Sequence, residues 1–265
     1  MIDLHNHFLI DVDDGPDSKE DALALLIQAE EQGITDIIAT PHHHSMDWFT
    51  PKNIVLSKID EIRTIISENG LSIKVHPGQE IRINENLLSE FDDDINLSLN
   101  HSRYVLIEFP FSDVPYFAEQ LLYDLQMKGF TPIIAHPERC KPLLRSPDKI
   151  YNIVSNGSLT QVTCSSITGR LGEDMQETSL KMIKHNLVHF IASDAHDAEL
   201  RPFELKDAYE VIEKRLGIEL VERLKFNAQA VMLNQDVKIK APKTFEVSYS
   251  NKRRKKKKKF LSLFL

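Results

Sequence analysis

The sequence predicts an α/β fold with parallel strands, a barrel or near-barrel whose functional site lies at the strand C-termini. Three observations predict it. Short β-branched runs alternate with helical runs, giving about seven β/α units in roughly 235 residues. Glycine follows most helical runs, at Gly33, Gly70, Gly129 and Gly157. Most of the apolar runs end in a cluster of hard metal-ligand types: Asp3-Leu4-His5-Asn6-His7, Pro41-His42-His43-His44, Gly78-Gln79-Glu80, Ile107-Glu108-Phe109, Ala135-His136-Pro137 and Ser193-Asp194-Ala195-His196. A parallel strand delivers its last side chains to one end of the sheet, so such clusters converge. An open doubly wound sheet is the competing architecture, but its switch point gathers ligands from fewer strands.

The elements follow in order. Ile2 to Phe8 alternates apolar and polar, which sends His5 and His7 to one face. Ser18-Lys19-Glu20-Asp21 is a variant of the capping box and opens a helix that runs to about Gln32. Asp36 to Thr40 is a strand. A helix covers about Asn53 to Asn69, and Ser72 to His76 is the strand leading to Glu80. Arg103 to Glu108 is the fourth strand, Tyr116 to Lys128 a helix, Thr131 to Ala135 the fifth strand. Asp148 to Asn156 is a short helix. Leu159 to Thr163 is the sixth strand, followed by one helix to about His185, and Val188 to Ala192 is the seventh. Helices fill roughly 203 to 233. No internal repeat is visible. The pattern divides the chain into a barrel over 1–235 and a linker with a basic and apolar tail over 236–265, expected to be flexible.

With 265 residues and 42% hydrophobic content, the chain can bury a sizeable core. Its two cysteines, Cys140 and Cys164, form no disulfide or metal-binding framework, so a reducing cytoplasm is the expected compartment. No secretory segment precedes Asp3, and no apolar run reaches the roughly 20 residues of a membrane span. The formal net charge of −8 is uneven, because Lys252 to Lys259 supply eight positive charges and leave −16 for the remainder. An acidic body argues against nucleic acid as a partner. The basic run, followed by Phe260 to Leu265, suits an anionic membrane surface and a peripheral position at its inner face, although a solvated end is the plainer reading.

The chemistry rests on the strand-end clusters. His5, His7, His42, His136 and His196 offer imidazole nitrogen, and Asp14, Glu80, Glu108 and Asp194 offer carboxylate oxygen. This mixed set without thiolate suits Mn²⁺, Fe²⁺ or Zn²⁺ in a catalytic role. Carboxylates can bridge neighbouring metals, and closely spaced metals acidify a bridging water and clamp a phosphate. Arg139 and Arg201 follow His136 and His196 closely enough to hold phosphate oxygens with their planar donor forks. Any one histidine is more often structural than functional; it is the recurrence that carries the argument. Asp13 could replace Asp14 as ligand. His43 and His44 read as bystanders or supporting groups, Glu138 as an orienting group, and His76, His101, His185 and His189 as structural. Cys164 to Arg170 matches the bare C-x5-R spacing of cysteine-based phosphatases, but its glycine falls late, and so short a match arises often by chance.

The motifs MIDLHNH, DDGP, ATPHHH, PGQEIRI, LIEFP, IIAHPER and FIASDAH, in this order, resemble the polymerase and histidinol phosphatase (PHP) superfamily. GQEIRI and IEFP resemble most closely its bacterial manganese-dependent protein-tyrosine phosphatases of capsule and exopolysaccharide synthesis. The resemblance implies a distorted (β/α)7 TIM-like barrel and three metals, Mn²⁺ first, with Fe²⁺ or Zn²⁺ as substitutes. It implies one metal on His5, His7, Glu80 and Asp194, a second on Glu80, Glu108 and His136, and a third on Asp14, His42 and His196, with Arg139 and Arg201 on the phosphate. The expected reaction is hydrolysis of phosphotyrosine by a metal-bridging hydroxide, on a membrane-associated tyrosine kinase of polysaccharide synthesis. A small-molecule phosphoesterase, acting on histidinol phosphate or a sugar phosphate, is the alternative. A carbamylated-lysine amidohydrolase is disfavoured because no lysine stands at a central strand end.

Overall fold

The structure, a computed structural model, describes residues 1–45 and 48–245. The basic run Lys252–Lys259 and the apolar end Phe260–Leu265 lie outside the described residues. The chain runs through β1 (Ile2–Asp3), α1 (Lys19–Glu31), β2 (Asp36–Ala39), β3 (His42–His43), α2 (Lys52–Glu68), β4 (Lys74–Pro77), β5 (Glu80–Arg82), α3 (Leu87–Asp92) and β6 (Tyr104–Glu108). It continues through α4 (Ala118–Met127), β7 (Thr131–Ala135), α5 (Lys141–Arg145), α6 (Pro147–Ser155), β8 (Leu159–Thr163), α7 (Cys164–Thr168), α8 (Glu173–Lys184), β9 (Phe190–Ala192), α9 (Leu205–Leu216) and α10 (Ile218–Met232).

The fold is mixed α/β with parallel sheets. One sheet has the order β1-β2-β4 and the other β3-β5-β6-β7-β8-β9, with every ladder parallel. The sheets meet where two strands are interrupted. β2 gives way to β3 at Thr40-Pro41, and proline has no N–H for a ladder. β4 gives way to β5 at Gly78, where a Cβ would stand 2.8 Å from Ile38 Cγ2 and 3.0 Å from Leu99 Cδ2. Pairing survives the gap through Glu80 N–H donating to Pro41 O at 3.1 Å. On the far side, Asn6 bridges Ala195 in parallel and its carbonyl accepts from Thr40 N–H at 3.0 Å. The segment after β1 therefore lies between the ends of β9 and β2.

Both faces of β6, β7 and β9 are buried, which is why they read as nearly continuous apolar runs. Ile37, Val105, Ile107, Ile134, Val162 and Ile191 join the larger core beneath the helices. The alternate residues Ile38, Leu106, Ile133, Leu159 and Phe190 form a second core, closed below by Ala228 and Val231 of α10. That inner face changes character toward the strand C-termini. Leu106 is followed two residues later by Glu108, and Ala192 by Asp194. The period-2 alternation that fills the core thus delivers carboxylates to one end.

Sequence and structure part at several boundaries. The strand expected over Ile2 to Phe8 is a ladder only at Ile2–Asp3. The single helix expected from Thr163 to His185 is two, α7 and α8, parted by Gly169 (φ +90°) and Gly172 (φ +99°). Glycine adopts this left-handed backbone without strain, and a helix cannot continue through it. The α1 start agrees with the pattern, since Asp21 N–H donates to Ser18 Oγ at 3.1 Å.

Candidate metal centre

All nine residues singled out as ligands converge. His5 Nε2 lies 3.3 Å from Glu80 Oε1 and 3.5 Å from Asp194 Oδ1. His7 Nε2 lies 3.5 Å from Glu80 Oε2 and 3.5 Å from Asp194 Oδ1. His136 Nε2 is 2.8 Å from Glu80 Oε1 and 3.9 Å from Glu108 Oε1. His42 Nδ1 is 2.8 Å from Glu80 Oε2, and Asp14 Oδ1 stands 3.5 Å from His42 Nε2 and 3.1 Å from His196 Nε2. Glu80 is at the middle, as its register predicts: β3 aligns His42 with Glu80 and β5 aligns Arg82 with Glu108.

His136 and Asp194 reach the site through left-handed backbone, at φ +30° and +53°. Such conformations are unfavourable for side-chain-bearing residues and persist only where the surroundings enforce them. Gly15 is constrained differently, since a Cβ there would stand 2.2 Å from His7 O.

The arrangement is incomplete as a hydrogen-bonded network. His5 Nε2 and His7 Nε2 face each other at 3.2 Å. Among the described residues, His42 Nδ1, His196 Nε2, Glu80 Oε2 and Asp194 Oδ1 are buried without a hydrogen bond of ordinary geometry, close as some of them lie to one another. Clustered lone pairs from imidazole and carboxylate, kept dry and unpaired, fit divalent cations. Three groups in this cluster have donor atoms all within 4.8 Å of one another: His7, Asp14, His42 and His196; His5, His7 and Glu80; and His42, Glu80 and Glu108. His7, His42 and Glu80 each belong to two of these groups.

Electrostatics agree. Burial would raise Glu80, but His5 and His42 hold it well below the usual carboxylate range. Burial, then the Glu80 charge, push Glu108 up to about 7. Against the effect of burial, Glu80 and Asp194 raise His5 to about 9. Burial and His7 lower His196 to about 4.

Groups behind the ligands fix their orientation. Asp13 Oδ2 meets His7 Nδ1 at 2.6 Å and accepts from His42 N–H at 2.9 Å. Of the two neighbouring aspartates, Asp14 faces the imidazoles and Asp13 supports them. Glu138 is buried and accepts from Thr163 N–H and Ser166 Oγ, at 2.9 and 2.8 Å, so it holds the junction of β8 and α7. Sequence reasoning missed Gln161, whose Oε1 lies 2.8 Å from His5 Nδ1, and Arg82, whose NH2 is 3.0 Å from Glu108 Oε2. Arg82 had a signal: it sits two residues after Glu80, on the same strand face. Gln161 had none beyond its place at the centre of β8.

Arg139 and Arg201 reach the same carboxylate oxygen, Asp194 Oδ2, at 2.5 and 3.1 Å, and Arg201 also reaches Asp14 Oδ2 at 3.3 Å. Both line a cavity of about 190 Å³ beside Ser165, Ser193 and Leu200. The Phe111 ring packs 4.7 Å from the Arg139 guanidinium, a cation–π contact that steadies it.

A parallel α/β scaffold carrying a candidate multi-metal centre with two arginines at its rim is the class this geometry defines. The chain belongs to the family described as capsular polysaccharide synthesis, CpsB/CapC, which matches residues 1–234. It is 40% identical over 242 residues to the putative tyrosine-protein phosphatase CapC of Staphylococcus aureus, covering 91% of this chain and 95% of that protein. It is 31% identical over 229 residues to the tyrosine-protein phosphatase CpsB of Streptococcus pneumoniae, covering 84% and 94%. A solved structure, from work on YwqE of Bacillus subtilis and CpsB of S. pneumoniae as metal-dependent tyrosine phosphatases, superposes with a TM-score of 0.91 at 39% identity. It covers 93% of this chain and all of that one.

Proposed function

We propose that this chain is a metal-dependent protein-tyrosine phosphatase whose centre is held by His5, His7, Asp14, His42, Glu80, Glu108, His136, Asp194 and His196. The observation that carries the reading is the convergence of Arg139 and Arg201 on Asp194 at the edge of the imidazole–carboxylate cluster. When bound there, divalent metals supply an acidified water and charge stabilisation for a phosphoryl group. Three metals would divide the ligands as the resemblance implies; the mixed O/N donor set suits Mn²⁺, Fe²⁺ or Zn²⁺, and it is the resemblance that puts Mn²⁺ first.

The chain's own groups do the rest. Arg139 and Arg201 are free to turn part of their donor forks from Asp194 to phosphoryl oxygens, where they neutralise charge that grows in the transition state. Asp13 and Gln161 keep His7 and His5 oriented, so the ligand atoms need no rearrangement. A tyrosine phenolate leaves with a pKa of about 10. It therefore needs less help from a general acid than a serine alkoxide, and the reading assigns no acid.

The scaffold reads as a distorted (β/α)7 barrel over residues 1–235, in which the Asn6–Ala195 bridge joins last strand to first. The substrate is a phosphotyrosine protein, in our reading a membrane-associated tyrosine kinase of polysaccharide synthesis. Among the described residues no helix is long and apolar enough to cross a membrane. The reading places the protein in the cytoplasm, with Lys252–Lys259 as a contact for an anionic leaflet.

The test is turnover of a phosphotyrosine peptide after chelation and re-addition of Mn²⁺, Zn²⁺ or Mg²⁺, with elemental analysis of the purified protein. Chelation is expected to abolish turnover and Mn²⁺ to restore it best. Full activity in excess chelator would sink the reading, and a higher kcat/KM on histidinol phosphate or a sugar phosphate would move it to a small-molecule phosphoesterase.

A further inference from the structure

We infer that His43, His44 and Glu90 form a separate binding site for one zinc-class divalent cation, which clips the end of β3 to α3. Adjacent residues of a strand point to opposite faces. His42 turns toward Glu80, so His43, aligned with Ile81, turns the other way, onto the face that carries the larger core. One donor atom from each of His43, His44 and Glu90 lies within 4.8 Å of the others. His44 Nε2 and Glu90 Oε1 are already 2.7 Å apart.

His43 is the second and independent observation. Its side chain is fully buried, yet among the described residues neither ring nitrogen has a hydrogen-bond partner of ordinary geometry. The Thr50 backbone engages the ring weakly and can serve one nitrogen at most. The Phe49 ring packs on both imidazoles, with centroids 4.7 Å from His43 and 5.0 Å from His44. Aromatic packing accounts for that stacking but leaves at least one buried nitrogen unsatisfied, which natural proteins avoid. A cation shared with His44 and Glu90 would satisfy it.

The support behind Glu90 is of the kind ligating carboxylates have. Asn96 Nδ2 donates to Glu90 Oε2 at 3.3 Å and to Leu87 O at 3.1 Å, leaving Oε1 turned to His44. Two imidazoles and one carboxylate with no thiolate match a zinc site that keeps one position for water. The consequence is mechanical. Ser45, the next residue, contacts Arg82 and Glu108 through its hydroxyl, at 3.0 and 3.4 Å. A cation at His43 and His44 would hold the wall against which Glu108 is oriented, while adding no ligand to the central cluster.

The inference stands independently of the phosphatase reading and is tested on the full chain. After equilibrium dialysis against Zn²⁺, elemental analysis of Glu90→Gln and of His43→Gln is expected to find one ion per chain fewer than in the unaltered protein. Turnover of an aryl phosphate should stay within severalfold, which separates loss of this ion from loss of the central ones. An unchanged ion count in both variants overturns the proposal. A measurement on the unaltered protein guards against misfolded variants. With the centre preloaded with Mn²⁺, one equivalent of Zn²⁺ should shield His44, whose side chain is 27% exposed, from diethyl pyrocarbonate as read by mass spectrometry. Modification of His44 at the same rate with and without Zn²⁺ also overturns it.

Discussion

Cys164 and His5 each stand in a short motif that could serve phosphate-ester hydrolysis, and the fold treats them in opposite ways. Cys164 is fully buried at the start of α7, where desolvation, helped by the charges of Asp3 and Glu204, pushes its thiol well above its usual range. Arg170, the arginine of its C-x5-R spacing, faces Glu204 instead, with Nε 2.8 Å from Oε1. Burial disfavours the thiolate there, and a carboxylate engages the donor fork of Arg170. His5 is just as buried, but it faces Glu80 and Asp194 and lies beside further unsatisfied ligand atoms. Spacing in the chain proposes both sites. Dielectric and neighbours select one.

The largest expected effect is on the selected side. His5→Ala combined with His7→Ala should lose metal and phosphatase activity together, because these two nitrogens face each other and both central carboxylates. Elemental analysis beside turnover of a phosphotyrosine peptide checks it. Retained activity with depleted metal would transfer the chemistry elsewhere.

Arg139→Ala should separate binding of metal from catalysis. Its guanidinium touches Asp194 and the Phe111 ring and belongs to none of the donor groups. Removal of a donor to developing oxyanion charge typically costs on the order of 10²-fold or more. We expect that loss in kcat/KM with the metal content intact; depletion of metal in this variant would show that the arginine instead supports Asp194 as a ligand.

Cys164→Ser probes the rejected side. Activity should stay within about threefold, whereas stability should fall, since a buried hydroxyl without a partner costs about 1–3 kcal/mol. Urea unfolding and turnover, measured on the same preparation, give both numbers. A loss of activity by orders of magnitude with unchanged stability would revive the cysteine loop.

Much of this contrast was legible in the sequence, for a physical reason. Strand C-termini are fixed by alternation, so Glu108 after Leu106 and Asp194 after Ala192 fall where the inner face leaves the core. Helix ends were legible where Ser18 caps or a glycine follows. What escaped depends on contacts between distant segments. The choice between Asp13 and Asp14 is made by which of them meets His7 Nδ1. Gln161 supports His5 across 156 residues of chain, and nothing local marks it. The interruptions at Thr40-Pro41 and Gly78 were marked by residue type, yet only the close approach of Ile38 and Leu99 shows why the second needs glycine.

His189 sharpens the comparison at the smallest scale, because it is as buried as His5 with a pKa moved the other way. Burial and the Arg223 charge lower it to about 3, while Glu80 and Asp194 lift His5 to about 9 despite burial. Thr160 N–H donates to its Nδ1 at 3.1 Å, which requires that nitrogen to stay unprotonated. The sign follows from linkage. The unfolded chain takes up a proton near pH 6.5 and the folded one only near pH 3, so the contribution is fully present above 6.5 and is lost as pH falls between those values. The slope approaches about 1.4 kcal/mol per pH unit well inside that window, or about 2 kcal/mol between pH 7 and pH 5. His189→Asn keeps an acceptor for Thr160 and cannot titrate. Its urea-unfolding free energy should therefore fall less than that of the unaltered protein over the same two pH units, with metal removed from both. Equal acid sensitivity in the two proteins would mean that the His189 environment readily accommodates the charge, and that burial without a carboxylate partner is not what keeps it neutral.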